Sequence, residues 1–190
     1  ECLEKIRKKI ADKKLIIRSS TLNEDSFSES NAGKYLSLLN ISQSNEKLLI
    51  RSIQKVINSY SVNHRYNQVL IQEMVSNSKI SGVITSRTLN KGSPYRVINF
   101  DDQSKLTDTV TSGTSAETKT IFVLKKKKIL EKKYSIFNKL ISSIEEIEEI
   151  LNFDSLDIEF IITENNKIII LQVRPIVIDQ TKNFDQDKEI

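Results

Sequence analysis

Hydrophobic positions along this chain alternate between a helical period and a strand period, and the switches mark out the elements. Residues 3–13, LEKIRKKIADK, place Leu3, Ile6 and Ile10 on one helical face. KLIIRSS, at 14–20, reads as a short buried strand ending in Arg18-Ser19-Ser20. The next segment, TLNEDSFSESNAG, is polar, rich in Ser and Asn, and closes on Gly33. An apolar strand pattern resumes straight after it at KYLSLLNI, so it reads as a functional loop, not a linker. Residues 45–60 form an amphipathic helix with Leu49, Ile53, Val56, Ile57 and Tyr60 turned inward.

The second half repeats the alternation. QVLIQEMV (68–75) and ISGVITSRT (80–88) read as strands joined by the turn SNSK, and LNKGSP, built on Asn90 and Gly92, turns the chain back into YRVINF. The loop DDQSKLTDTVTSGTS leads to the strand TKTIFVL. A helix is predicted from about Tyr134 to Leu151, with Ile136, Leu140, Ile144, Ile147 and Leu151 as its buried stripe. Two last strands lie in LDIEFIITENNKIIILQVRPI (156–176), and residues 179–190 form a polar tail expected to fray. Paired strands separated by amphipathic helices predict an α+β fold with mainly antiparallel sheet and flanking helices over residues 1–178. The βαβ spacing of a doubly wound sheet is missing, as are internal repeats and low-complexity segments.

Composition narrows the chemistry. The 190 residues suffice for one good-sized domain or two small subdomains. A net charge of +4 is a mild excess, concentrated in Lys125 to Lys128, which reads first as a solvated surface run and second as a phosphate-facing patch. Cys2 is the lone cysteine, which removes disulfide frameworks and thiolate clusters, and with His64 the lone histidine most zinc and Ser-His-Asp readings fail for lack of parts. No apolar run is long enough to cross a bilayer and no signal-like segment is present, so a cytoplasmic location without membrane association is expected. Few aromatics and no Trp argue against nucleic acid as a partner. The chain begins at Glu1 instead of Met, which suggests a piece of something longer.

The sharpest signal lies in the last two strands. With Asn165-Asn166 as a two-residue type I′ turn, Glu159 falls opposite Gln172 and Asp157 opposite Arg174. All four polar side chains then share one sheet face, while Ile158, Phe160, Leu171 and Val173 share the other. A carboxylate beside an amide oxygen suits a hard cation that also holds phosphate oxygens, and an edge hairpin with a polar solvent face is the plain alternative.

These residues, as DIEF followed by LQVRPI, resemble the closing motif of the ATP-binding domain in pyruvate phosphate dikinase and phosphoenolpyruvate synthase. IIRSSTLNED, NAGKYLSLLNI and VLIQEMVSNSKISGVITSRTLNKG resemble three further motifs of that family, in the same order, so that the resemblance runs from Leu15 to Ile176. It implies an ATP-grasp-like fold with nucleotide held between two sheet-based lobes. It also implies ATP and Mg²⁺ as cofactors. By the same resemblance Arg18 would contact the nucleotide phosphates and Arg174 the phosphoryl group in transfer. Gly33 would form a flap over the triphosphate, which Ser37 would face. Gln72, Glu73, Met74 and Val75 would lie beside the adenine, Arg87 would reach the triphosphate, and Glu159 and Gln172 would hold Mg²⁺. The plain readings are a strand cap for Arg18, a simple turn for Gly33 and a core side chain for Met74. His64 does not match the family's phosphorylated histidine and reads as surface.

The chain departs from the family pattern in three places, one of them SGVITSRTL where the family often has SGV(M/L)FTRDP. Nothing in it matches the glycine-rich lysine lobe that opens the family's domain, and the GLGE segment is lost, although the stretch from Val110 to Gly113 is kept. The stretch VINFDD…TDTVTSG looks nearest to a divergent capsule-biosynthesis branch that phosphorylates a small amide such as glutamine. The implied activity is phosphoryl transfer from ATP to a histidine on a separate domain of the same protein, and from there to a small-molecule acceptor, pyruvate-like or an amide or carboxylate. Direct ATP-dependent kinase or ligase chemistry, and a non-catalytic nucleotide-binding module, are the alternatives.

Overall fold

The computed structural model describes residues 2–10, 13–21, 25–26, 29–30, 36–60, 64–103, 118–127 and 129–176. Gly33, Lys128, the stretch from Val110 to Gly113 and the tail 179–190 lie outside them. The chain divides into two compact units, Glu1–Ser76 and Asn77–Ile190. Among the described residues the fold is α+β, with antiparallel strand pairing throughout.

In the first unit, helix α1 (Cys2–Lys9) precedes strand β1 (Lys14–Ser20), and a small ribbon of β2 (Asp25–Ser26) and β3 (Glu29–Ser30) follows. Strand β4 (Ser37–Ser42), helix α2 (Glu46–Asn58) and strand β5 (Gln68–Glu73) complete it, with β1 central in the order β4-β1-β5. Leu15 and Ile17 of β1 are fully buried and meet Ile41, Leu49 and Val56, while Leu3, Ile6 and Ile10 of the first helical segment pack against the same core. Asn45 caps α2, its Oδ1 accepting from the Leu48 amide at 3.0 Å. Ile57, expected inward, is 49% exposed, whereas Ser52 is buried. Leu49, Ser52 and Val56 define the inward face, and Ile57 lies about 100° around the helix from its centre.

The second unit is built on strands β6 (Ser78–Thr85), β7 (Tyr95–Asp101), β8 (Lys119–Leu124), β9 (Leu156–Thr163) and β10 (Ile168–Pro175), in the order β10-β9-β6-β7-β8. A 3-10 helix (Lys132–Phe137) and helix α3 (Asn138–Leu151) join β8 to β9. The predicted helix therefore starts in the tighter 3-10 geometry. Phe137, Leu140, Ile141 and Ile144 pack on one sheet face with Ile84, Ile98, Phe100, Ile158 and Phe160. Ile141 belongs to this core although the predicted stripe omitted it. Leu151 does not: it ends the helix where Asn152 (φ 47°) reverses the chain, and it is 51% exposed. Gly82 has to be glycine, because a Cβ there would come within 2.4 Å of the Asn99 carbonyl oxygen and 2.9 Å of the Phe160 ring. No helix among the described residues is long and apolar enough to cross a membrane.

Candidate functional site

Each unit presents one sheet face that its helices do not cover with core, and there lie Arg18, Ser37 and Gln72 in the first unit and Glu159, Gln172 and Arg174 in the second. In the first unit, alternation along β1 turns Leu15 and Ile17 toward α2 and leaves Arg18 on the opposite face. Register places Ser37 of β4 directly opposite Arg18. Gln72 of β5 pairs with Ile16, so it shares that face with Arg18 and Ser37. Arg18 and Gln72 are partly buried and Ser37 is exposed.

The segment Gln72 to Val75, expected beside the adenine, is defined by its backbone bonds. The Met74 amide donates to the Lys14 carbonyl at 2.8 Å, so this main-chain donor is committed to β1. In an antiparallel pair successive residues point their main-chain groups to opposite sides. The backbone of Glu73, one residue earlier, therefore points away from β1, at the outer edge of the sheet. The Glu73 side chain lies on the surface and pairs with Lys13. Met74 and Val75 are both partly buried.

In the second unit the opposed pairs Glu159–Gln172 and Asp157–Arg174 are both present. They are reached by a different route from the predicted turn. The Thr163 amide bonds the Lys167 carbonyl at 2.9 Å, closing a loop of Glu164, Asn165 and Asn166, with Asn166 at φ 56°. Ile168, Ile169 and Ile170 then face Ile162, Ile161 and Phe160, and an irregularity between Ile170 and Gln172 restores the expected pairs. Leu171 is the extra residue, and Ile170 rather than Leu171 packs toward the core. The bulge re-aims Gln172 and Arg174 onto the acidic face.

Arg174 Nη2 donates to Asp157 Oδ2 at 3.0 Å and to Glu159 Oε1 at 3.3 Å, so one guanidinium nitrogen serves both carboxylates. The three side chains are 22%, 26% and 13% exposed respectively. Arg174 Nε is buried and makes no hydrogen bond to a described group. Glu159 and Gln172 offer two hard oxygen donors from directly opposed positions, the kind of donor set magnesium takes while drawing its other ligands from phosphate and water. The residues present therefore fit the ion.

Arg87 is placed elsewhere. Its Nε and Nη2 donate to Asp154 Oδ2 at 2.9 and 2.6 Å, and its Nη1 donates to the Gly92 carbonyl at 2.8 Å. Lys125 also reaches Asp154 Oδ2, at 3.3 Å. Burial pushes the Asp154 carboxyl up, but the Arg87 hydrogen bonds and the Lys125 charge outweigh it and bring the pKa from 3.8 down to about 2. Ser86 Oγ donates to the Asp154 carbonyl and accepts from the Leu156 amide, tying the entry of β9 to the end of β6. Sequence reasoning missed this Asp154 knot, because the contacts that Asp154 and Leu156 make in it reach 29 to 70 positions along the chain. His64 is exposed, as expected.

A family model of the pyruvate phosphate dikinase AMP/ATP-binding domain matches residues 1–135. The match takes in the first unit and β6 to β8, and ends before β9 and β10. No curated protein matches the chain. With well over half of its length matched, this chain belongs to the family of the pyruvate phosphate dikinase AMP/ATP-binding domain.

Proposed function

We propose that this chain binds ATP together with Mg²⁺ as the nucleotide-binding part of an ATP-dependent phosphotransferase of ATP-grasp type. The observation that carries this reading is the Glu159–Gln172 pair with the Arg174 guanidinium beside it, in a chain whose family binds AMP or ATP. Arg18 and Ser37, opposed on one sheet face, take the phosphates, since an always-charged planar fork and a hydroxyl both donate to anionic oxygen. The Glu73 carbonyl, aimed off the edge of β5, accepts from the adenine amino group, while Gln72 approaches from the sheet face. Glu159 and Gln172 hold Mg²⁺, which when bound neutralises phosphate charge and orients the group in transfer. Arg174 contacts that group. A flap at Gly33 and a triphosphate contact from Arg87 are drawn from the family resemblance. A histidine on a separate domain takes the terminal two phosphates as AMP leaves, the outer phosphate is then lost to water as inorganic phosphate, and the phosphoryl group left on the histidine passes to a small acceptor, pyruvate-like or an amide or carboxylate.

Calorimetric titration of this chain with ATP, with and without Mg²⁺, tests the binding step. The expected result is Mg²⁺-dependent binding that Glu159→Gln loses with an unchanged circular dichroism spectrum. Equal Mg²⁺-dependent affinity in wild type and variant would overturn the assignment. In the protein joined to its histidine domain, AMP plus phosphate is the expected product pair. ADP as the sole nucleotide product would point to direct transfer instead.

A further inference from the structure

The Arg174 guanidinium lies where a bound cation would have to compete with it. Its Nη2 is 3.3 Å from Glu159 Oε1, the carboxylate of the residue that stands across the hairpin from Gln172. It also holds Asp157 Oδ2 at 3.0 Å, and its buried Nε has no hydrogen-bond partner among the described residues. Two carboxylates two residues apart on one strand face repel each other when partly removed from water, and a single cationic fork between them relieves that repulsion. A buried donor without a partner is costly, so the present seat of the guanidinium is a compromise that an incoming oxygen would improve.

We infer that Arg174 is the built-in counter-ion of the cation site, and that Asp157 is the positioning residue that retains it when a metal takes Glu159. This rests on reading Glu159 and Gln172 as the cation ligands. In the ligand-free chain Arg174 spans both carboxylates. When a divalent ion claims Glu159, the guanidinium turns on its Asp157 contact, and its Nε becomes available to an anionic oxygen. Metal and phosphate then favour each other's binding, because Arg174 gives up one anion and gains another. Metal alone binds weakly, since it must displace a cation and receives no phosphate in return.

Mn²⁺ titration of this chain, followed by electron paramagnetic resonance without nucleotide, tests the exchange in wild type, Arg174→Gln, Asp157→Asn and Glu159→Gln. A guanidinium about 5 Å from a divalent ion in a water-like dielectric weakens its binding by about tenfold, so R174Q is expected to bind Mn²⁺ about tenfold more tightly than wild type. D157N, which leaves the guanidinium wholly to Glu159, is expected to bind it more weakly, and E159Q to lose it. In parallel, the Arg174 Nε resonance in a ¹⁵N spectrum should shift on Mg²⁺ addition with the midpoint of metal binding, and stay still in E159Q. A shift in affinity through space alone would leave that resonance in place. If R174Q binds Mn²⁺ no better than wild type, or if the resonance is static while Mg²⁺ binds, the counter-ion role is overturned although the cation ligands stand. If neither wild type nor R174Q binds Mn²⁺, the cation site and the inference fall together.

Discussion

Gln172 stands directly across the hairpin from Glu159 because β10 carries one residue more than β9 just before that pair. Near the turn Ile170 faces Phe160, and without the irregularity Leu171 would come next, opposite Glu159. Arg174 would then fall opposite Leu156, on the face where Ile158 and Phe160 pack into the core, and its charge would be buried without either acid. The loop is one residue longer than a type I′ turn and the bulge at Leu171 adds one more on the returning strand, so the two irregularities cancel. The polar cluster thus depends on both, at a point where a bulge also strengthens the local twist.

The loop half of that cancellation rests on Asn166, whose φ of 56° lies in the left-handed region. Asparagine tolerates it and glycine suits it better, whereas a β-branched side chain clashes with its own backbone. Asn166→Gly is expected to leave urea stability within about 0.5 kcal/mol of wild type, and Asn166→Val to lower it by about 1–2 kcal/mol. Equal stability of the two variants would remove the left-handed residue from the account of the register.

Arg18 and Ser37 are cross-strand neighbours on the face of β1 turned away from α2. Neither belongs to the core cluster, so their removal should weaken the ligand and spare the fold. Arg18→Ala is expected to reduce ATP affinity by about 10–100-fold, the worth of a charge-assisted hydrogen bond to phosphate, and to leave adenosine binding unchanged. Titrating both ligands separates the contributions. A parallel loss for adenosine would place Arg18 away from the phosphates.

Elements with a plain apolar pattern were legible from the chain itself. β1 was predicted at Lys14–Ser20 and is found there, because Leu15, Ile16 and Ile17 form a short buried apolar run bounded by polar residues. The opposition of Glu159 to Gln172 was legible too, but through a turn that does not form: periodicity sees which residues can share a face, not how many lie in the loop. Ile57 and Leu151 are apolar at helical spacing and still exposed, since a helix buries only the arc its sheet can cover. The Asp154 knot left no sequence signal, because Arg87, Lys125 and Asp154 meet only once β6, β8 and β9 have been folded into one sheet.

Gly82 lies on the core side of β6 with the Asn99 carbonyl on one side and Phe160 on the other. A methyl group there meets backbone at 2.4 Å, and the backbone of a central strand cannot rotate aside as a flexible side chain would. Gly82→Ala is expected to destabilise the protein by about 1–3 kcal/mol, measured by chemical denaturation. Because Phe160 follows Glu159 in β9, any relief by strand displacement should also weaken Mg²⁺-dependent ATP binding. Unchanged stability would mean that β6 and β7 separate more easily than the pairing of Gly82 with Phe100 suggests.

Asp154 links stability to pH with a definite sign. Its carboxyl titrates at about 2 in the folded chain instead of 3.8, because the Arg87 hydrogen bonds and the Lys125 charge outweigh the cost of burial. A depressed folded-state pKa means that the unfolded chain takes up the proton first. The stabilisation from Asp154 is therefore complete above about pH 4 and is lost as pH falls toward 2. Asp154 is half exposed, so solvent screens part of the effect, and the comparison with a variant is what isolates it. Thermal melts of wild type and Asp154→Asn should differ most at neutral pH and converge as the pH is lowered from 4 to 2. The knot also ties the entry of β9 to the end of β6 through Ser86, so D154N should speed amide exchange at Leu156 and Ile158 at neutral pH. A melting difference that stayed constant down to pH 2 would show that the charge of Asp154 is not what secures this strand.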